Sequence, residues 1–221
     1  WATSFFGTAK IGAIAVGMNT LLKGHEYDFM LRDSRARVLI VHPALLPVVN
    51  EIREQQHFLE HIIVIGEAQH PDDLSYAEWI SGEPTELEAA LTHRDDFCSL
   101  NYSSGTTGMP KGILHAHKDY PLTSQLWGVN VLDLREGDRT FSAAKLFFAF
   151  GLGGNLVFPW YAGASVVLFA GTPRVATNVL EQIDRYKPTI LYNAPTGYAA
   201  TMAVDDFTSQ YNISTLRLCV S

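Results

Sequence analysis

The sequence predicts an α/β fold built on largely parallel sheets flanked by helices, and two observations carry that prediction. Short continuous apolar runs, Val38-Leu39-Ile40-Val41 and Ile62-Ile63-Val64-Ile65, have the pattern of strands buried on both faces of a parallel sheet. Longer amphipathic stretches separate such runs, and strand–helix–strand alternation builds parallel sheets through helical crossovers. The composition allows a large core. Of 221 residues, 47% are hydrophobic and 18% charged, which excludes a disordered, collagenous or coiled-coil chain.

Taken in order, Trp1 to Lys10 look like the middle of an element and lack the basic segment that opens a secretory signal. Residues 44–55 read as a helix between the two apolar runs, with Pro47 acceptable only in its first turn. Residues 66–96 are polar, acidic and punctuated by Pro71, Gly82 and Pro84. They predict a surface connection holding one short helix at 76–80. Phe97 to Asn101 read as a strand. Further strands are expected at 165–169, 189–192 and 216–220, separated by helices at 175–186 and 196–204. The last of these strands reads as cut off at its tip, so both ends are expected to belong to an excised piece of a longer chain. One compact unit, or two subdomains, is expected.

From Leu146 to Pro173 there is no charged residue, a run longer than the ~20 apolar residues of a spanning helix. Five glycines and Pro159 interrupt it. Pro159 and Gly163 are expected to divide it into a helix at 148–158 and a strand at 164–169, which makes it core and not a membrane span. Sixteen basic against twenty-three acidic residues give a net charge of −7. No Lys/Arg-rich run is present, so neither nucleic acid nor a membrane is an expected partner. Cys98 and Cys219 cannot form a disulfide framework; free, buried, inert thiols in a reducing cytoplasm are expected.

The most informative segment is Tyr102-Ser103-Ser104-Gly105-Thr106-Thr107-Gly108-Met109-Pro110-Lys111-Gly112, a loop between a strand and the apolar pair Ile113-Leu114. Glycines let backbone N–H groups converge on an oxyanion. The hydroxyls of Ser103, Ser104, Thr106 and Thr107 donate to phosphate oxygens, and Lys111 adds a mobile positive charge. The alternative is an ordinary Ser/Thr/Gly surface loop. A P-loop does not fit, because Pro110 replaces the glycine before Lys111 and Gly112 follows it where Ser or Thr belongs. Gly151-Leu152-Gly153-Gly154 does not complete a dinucleotide fingerprint either, since Leu156 occupies the third glycine's place. Close helix packing is the expected role of those glycines.

The order of residues 102–112 resembles the phosphate-binding signature of the adenylate-forming superfamily: acyl-CoA synthetases, peptide-synthetase adenylation domains and luciferases. Lys10-Ile11-Gly12-Ala13 through Asn19-Thr20-Leu21-Leu22 and Tyr192-Asn193-Ala194-Pro195-Thr196 resemble the family's flanking segments, so the likeness spans most of the chain. Phe141-Ser142-Ala143-Ala144-Lys145-Leu146-Phe147-Phe148-Ala149-Phe150-Gly151 is similar to the benzoate-CoA ligase branch. By that resemblance Phe148 stands at a histidine-or-aromatic gate, and Ala149 and Phe150 line the acyl pocket. Benzoate ligases often carry tyrosine at the Phe150 position, and the missing hydroxyl leaves the ring substituents open. Read from residues alone, the three phenylalanines suit either a flat apolar pocket or ordinary core.

The resemblance implies part of the large N-terminal domain of an acyl-CoA synthetase-like fold. It also implies a reaction in two halves. A carboxylate attacks the α-phosphate of ATP to give an acyl-adenylate, and coenzyme A thiolate then displaces AMP. The implied small molecules are an aromatic carboxylate, ATP with Mg2+, and CoA. Residues 103–111 would hold the β- and γ-phosphates. The family's adenine and ribose contacts and its adenylation lysine are expected beyond Ser221, so 221 residues alone are expected to be inactive. An aliphatic or arylpropenoate acid, or a non-catalytic nucleotide-binding module, are the alternatives. Two other patterns are weaker. Ser142-Ala143-Ala144-Lys145 fits a serine–lysine nucleophile without its companion motifs. His115 and His117 offer a thin ligand set for a metal, with Asp119 the one carboxylate close by.

Overall fold

The computed structural model describes residues 1–103 and 110–221. The strands are β1 (Ala15–Gly17), β2 (Val38–Val41), β3 (His61–Val64), β4 (Asp73–Ser75), β5 (Phe97–Ser103), β6 (Lys111–Ala116), β7 (Arg139–Ser142), β8 (Ser165–Val167), β9 (Ile190–Tyr192) and β10 (Leu218–Val220). The helices are α1 (Ala2–Lys10), α2 (Gly24–Ser34), α3 (Leu46–Ile52), α4 (Tyr76–Trp79), α5 (Asp119–Thr123), α6 (Ala149–Leu152), α7 (Phe158–Tyr161), α8 (Ala176–Tyr186), α9 (Pro195–Met202) and α10 (Phe207–Gln210). Contacts divide the chain into two units. One holds residues 1–17, 91–99 and 114–221; the other holds residues 18–90 and 100–113. A sheet in the order β1-β5-β6 includes the two strands, β5 and β6, along which the chain passes between units.

The smaller unit is organised on a parallel sheet, β2-β3-β4. Ile63 and Val64 on the central strand are completely buried. Both faces of β2 were expected to be covered, but Val38 is 46% exposed, because β2 is an edge strand with a neighbour on one side only. Helix α3 packs Leu46 and Val49 onto Val41, Ile62 and Val64. Pro47 falls in its first turn, where no backbone donor is required, and short 3-10 turns at Pro43–Leu45 and Arg53–Gln55 complete the expected 44–55 segment. The Arg53 guanidinium donates to both oxygens of the buried Asp73 (2.7 and 3.1 Å), fixing the start of β4. That strand, inside the polar 66–96 stretch, carries little apolar material and was not legible in the pattern.

In the larger unit all pairings of the sheet β10-β9-β7-β8 are parallel. The amphipathic helix α8 buries Val179, Leu180 and Ile183, with Val179 and Ile183 against Phe141, Val167 and Leu191. The uncharged stretch forms α6, a π-helical turn at Gly153–Val157 and α7. The sequence expects Pro159 to end the helix at 158, but helical backbone continues past it to Tyr161. Pro159 sits in the first turn of α7, and Asn155 (φ −125°, ψ 17°) leaves helical geometry just before it, which absorbs the break in the hydrogen-bond ladder. Asn155 is also a clip. It accepts from the Thr140 hydroxyl (2.9 Å) and donates to the Val167 carbonyl (2.9 Å), tying this rod to β7 and β8. The glycines pack closely, as expected. A Cβ on Gly154 would lie 2.6 Å from the Tyr192 ring, and one on Gly151 would lie 2.3 Å from the Lys145 carbonyl oxygen. Among the described residues no helix is long and apolar enough to cross a membrane.

Candidate functional site

The phosphate-loop candidate belongs to the smaller unit. Strand β5 delivers Ser103 at its last position, and β6 begins at Lys111 itself; both residues are exposed, and Pro110 is half-buried. Ser104, Gly105, Thr106, Thr107, Gly108 and Met109 lie outside the described residues. What the structure adds is how the loop's ends are anchored. The Tyr102 hydroxyl donates to Asp33 Oδ2 on α2 at 2.7 Å, and its ring meets Phe29 edge-on, 6.4 Å between centroids. Burial, with the Asp33 carboxylate beside it, raises the Tyr102 pKa, so this hydroxyl stays a donor. Gly112 supplies the space on β6: a Cβ there would lie 2.9 Å from Leu100 Cδ1 and 3.4 Å from the Tyr102 ring. At the far, N-terminal end of α2 from Asp33, Glu26 caps the helix by accepting from the Lys23 N–H at 2.8 Å.

The acyl-site candidates belong to the larger unit, at the carboxyl end of its parallel sheet, where open α/β sheets place their ligands. Strand β7 ends at Ser142, and the chain then turns through 143–147 into α6. Phe148 occupies the N-cap position of α6, with extended backbone (φ −88°, ψ 139°); Ala149 and Phe150 form its first turn. All three are exposed on their unit, Phe148 at 45% and Phe150 at 39%. Phe147 and Phe148 pack with centroids 4.6 Å apart, and Phe150 rests edge-on against the buried Tyr192 at 5.6 Å. Burial lifts the Tyr192 phenol to about 12, with Arg217 lowering it and Asp138 raising it.

The weaker patterns do not assemble. The Ser142 hydroxyl donates to the Ala144 carbonyl (3.0 Å). The Lys145 ammonium donates to the carbonyls of Phe169 and Gly171 (2.7 Å each), so the two do not form a nucleophile–base pair. His115 Nδ1 lies 3.7 Å from Asp119 Oδ2, and no group of three or more His, Cys, Asp or Glu among the described residues could hold a metal. Cys98 is buried, its pKa raised first by desolvation, and its thiol donates to the His115 carbonyl. Cys219 is exposed, contrary to expectation, because it points to the opposite face of β10 from the buried Val220. A polar cleft of about 410 Å³ lies beside the start of β3, lined by residues that include Arg53, Glu60 and His61. Its arginine is already committed to Asp73.

The fold and the two candidate sites define an α/β domain with the Ser/Thr/Gly-rich sequence between β5 and β6 on one unit and an exposed aromatic ledge on the other. The AMP-binding enzyme family model matches residues 1–221, and the chain belongs to that family. Among curated relatives it is 42% identical over 219 residues to a benzoate–CoA ligase of Thauera aromatica, covering 99% of this chain and 41% of the relative. It is 38% identical to a 4-hydroxybenzoate–CoA/benzoate–CoA ligase of Rhodopseudomonas palustris, covering 98% and 40%. Among solved structures it is similar to the anthranilate CoA ligase AuaEII in complex with anthranoyl-AMP, at 68% identity and a TM-score of 0.94, covering 98% of this chain and 42% of that one. A benzoate CoA ligase from Burkholderia xenovorans matches at 32% identity and a TM-score of 0.83, with the same coverage. The chain thus spans about two fifths of the length of these relatives.

Proposed function

We propose that this chain is part of the N-terminal AMP-binding domain of an ATP-dependent aromatic acid–CoA ligase of the benzoate type. The observation that carries the reading is likeness along almost the whole chain to relatives that activate benzoate, hydroxybenzoate or anthranilate. The 68% identity to an anthranilate ligase makes 2-aminobenzoate the first acid to test. Phe148, Ala149 and Phe150 wall the acid's ring; exposed aromatic surface beside a helix start supports this role. Ser103 to Lys111 hold the β- and γ-phosphates of ATP, where neutralising charge matters more than covalent help. Mg2+ arrives on the triphosphate and shares the neutralisation of its charge. CoA thiolate completes the second half with residues outside this chain.

Acid-dependent ATP–pyrophosphate exchange by the full parent chain tests the reading, using aminobenzoates, benzoate, hydroxybenzoates, coumarate, acetate and a medium-chain fatty acid. Preference for a benzoate-type acid, weakened by Phe150→Ala, is the expected result. Exchange with a fatty acid alone would overturn the aromatic site while keeping the adenylation chemistry. ATP binding without exchange on any acid would leave a nucleotide-binding module.

A further inference from the structure

We propose that Lys145 is the positioning residue of the acyl site, clamping the turn after β8 onto the segment that presents Phe148, Ala149 and Phe150. The inference rests on the reading of that segment as the aromatic-acid pocket. Lys145 stands three residues before Phe148, and its side chain crosses to a different connection of the sheet. Its ammonium donates to the Phe169 and Gly171 carbonyls, both at 2.7 Å, and lies 5.1 Å from the centroid of the Phe169 ring. The Phe169 ring in turn meets the fully buried Phe141 edge-on at 6.0 Å, so the clamp is grounded in the core beneath β7.

The backbone of the same residue holds the other side. The Lys145 carbonyl accepts from the Phe148 N–H at 3.0 Å, and α6 approaches it so closely that only glycine fits at 151. One residue therefore joins three pieces: the turn after β7, the first turn of α6, and the turn after β8. Connections at the carboxyl end of a parallel sheet lie beyond the ladder, and their carbonyls need partners from elsewhere.

The choice of lysine is itself informative. No carboxylate pairs with Lys145 among the described residues, and burial lowers its pKa. A half-buried ammonium facing only carbonyls and a ring is costly where methionine would fill the same volume. What the ammonium provides, and methionine cannot, is a directional tie between two loops, which keeps a pocket wall in its productive position.

The test compares Lys145→Met and Lys145→Arg with the wild type in the full parent chain, by steady-state exchange kinetics and by amide hydrogen exchange. For Lys145→Met the KM for the aromatic acid should rise about tenfold, with the KM for ATP unchanged, as expected when a positioning contact relaxes. Amides at 144–152 and 168–172 should exchange faster while β9 stays protected. Lys145→Arg, which keeps a charge and two donors, should recover most of the acid affinity. Unchanged acid KM, or acid and ATP parameters shifting together, would overturn the positioning role. If the wild type exchanges with no aromatic acid, the functional reading fails and the pocket role with it. Unchanged hydrogen exchange at 144–152 in Lys145→Met would remove the clamp itself.

Discussion

Asp138 shows how one buried carboxylate can organise a sheet. It is 4% exposed and accepts from Arg217 Nε (2.9 Å) and Nη2 (2.6 Å), the Thr189 hydroxyl (2.6 Å) and the Arg135 N–H (3.1 Å). These partners bind together the starts of β7, β9 and β10. Burial pushes the Asp138 carboxyl up, but the Arg217 and Thr189 hydrogen bonds and the Arg135 N–H outweigh it and hold the pKa down at about 2. The folded state therefore binds this proton less readily than the unfolded chain. Its stabilisation is complete above about pH 4 and is lost as pH falls towards 2. Asp138→Asn should cost about 2 kcal/mol in urea unfolding at pH 7, and the wild-type advantage should vanish near pH 2.

At the scale of elements, the rod formed by α6, the π-turn and α7 depends on close backbone approach. Gly151→Ala places a Cβ against the Lys145 and Ala144 carbonyls, at 2.3 and 2.6 Å, where backbone must move. It should destabilise by about 2 kcal/mol or more, read from denaturant midpoints, with α6 shifting most. Helix α8 offers the opposite case. Lys187, its C-cap, has left-handed backbone (φ 51°), and its ion pair with Asp184 is exposed enough to contribute little. Lys187→Gly should therefore stabilise the chain by about 0.5 kcal/mol, seen as a higher urea midpoint at an unchanged m-value.

At the scale of the molecule, the phosphate-loop candidate and the acyl-site candidate fall in different units, each with its own parallel sheet. Substitutions in the two should separate kinetically in the full parent chain. Lys111→Ala should weaken ATP use by an order of magnitude or more with the acid preference retained, whereas Phe150→Ala should change the acid preference with ATP affinity retained. Exchange kinetics over the acid panel check both, and a Lys111→Ala enzyme with altered acid preference would refute the assignment.

Much of this was legible in the sequence because it is local. Apolar runs at 38–41, 62–65 and 189–192, the amphipathic period of 175–186 and the order of residues 102–112 each fit within a short window. They determined the α/β class, the family likeness and the candidate residues. Tertiary structure decided what depends on partners far along the chain. No local pattern pairs Asp138 with Arg217, sends the Tyr102 hydroxyl to Asp33 or carries Lys145 to the turn after β8. Nor does hydrophobicity separate an edge strand from a central one or say which face of a strand is covered, so Val38 on β2 and Cys219 on β10 are exposed although their runs read as core. Burial and hydrogen-bond partnership belong to the packed chain, and only packing assigned them.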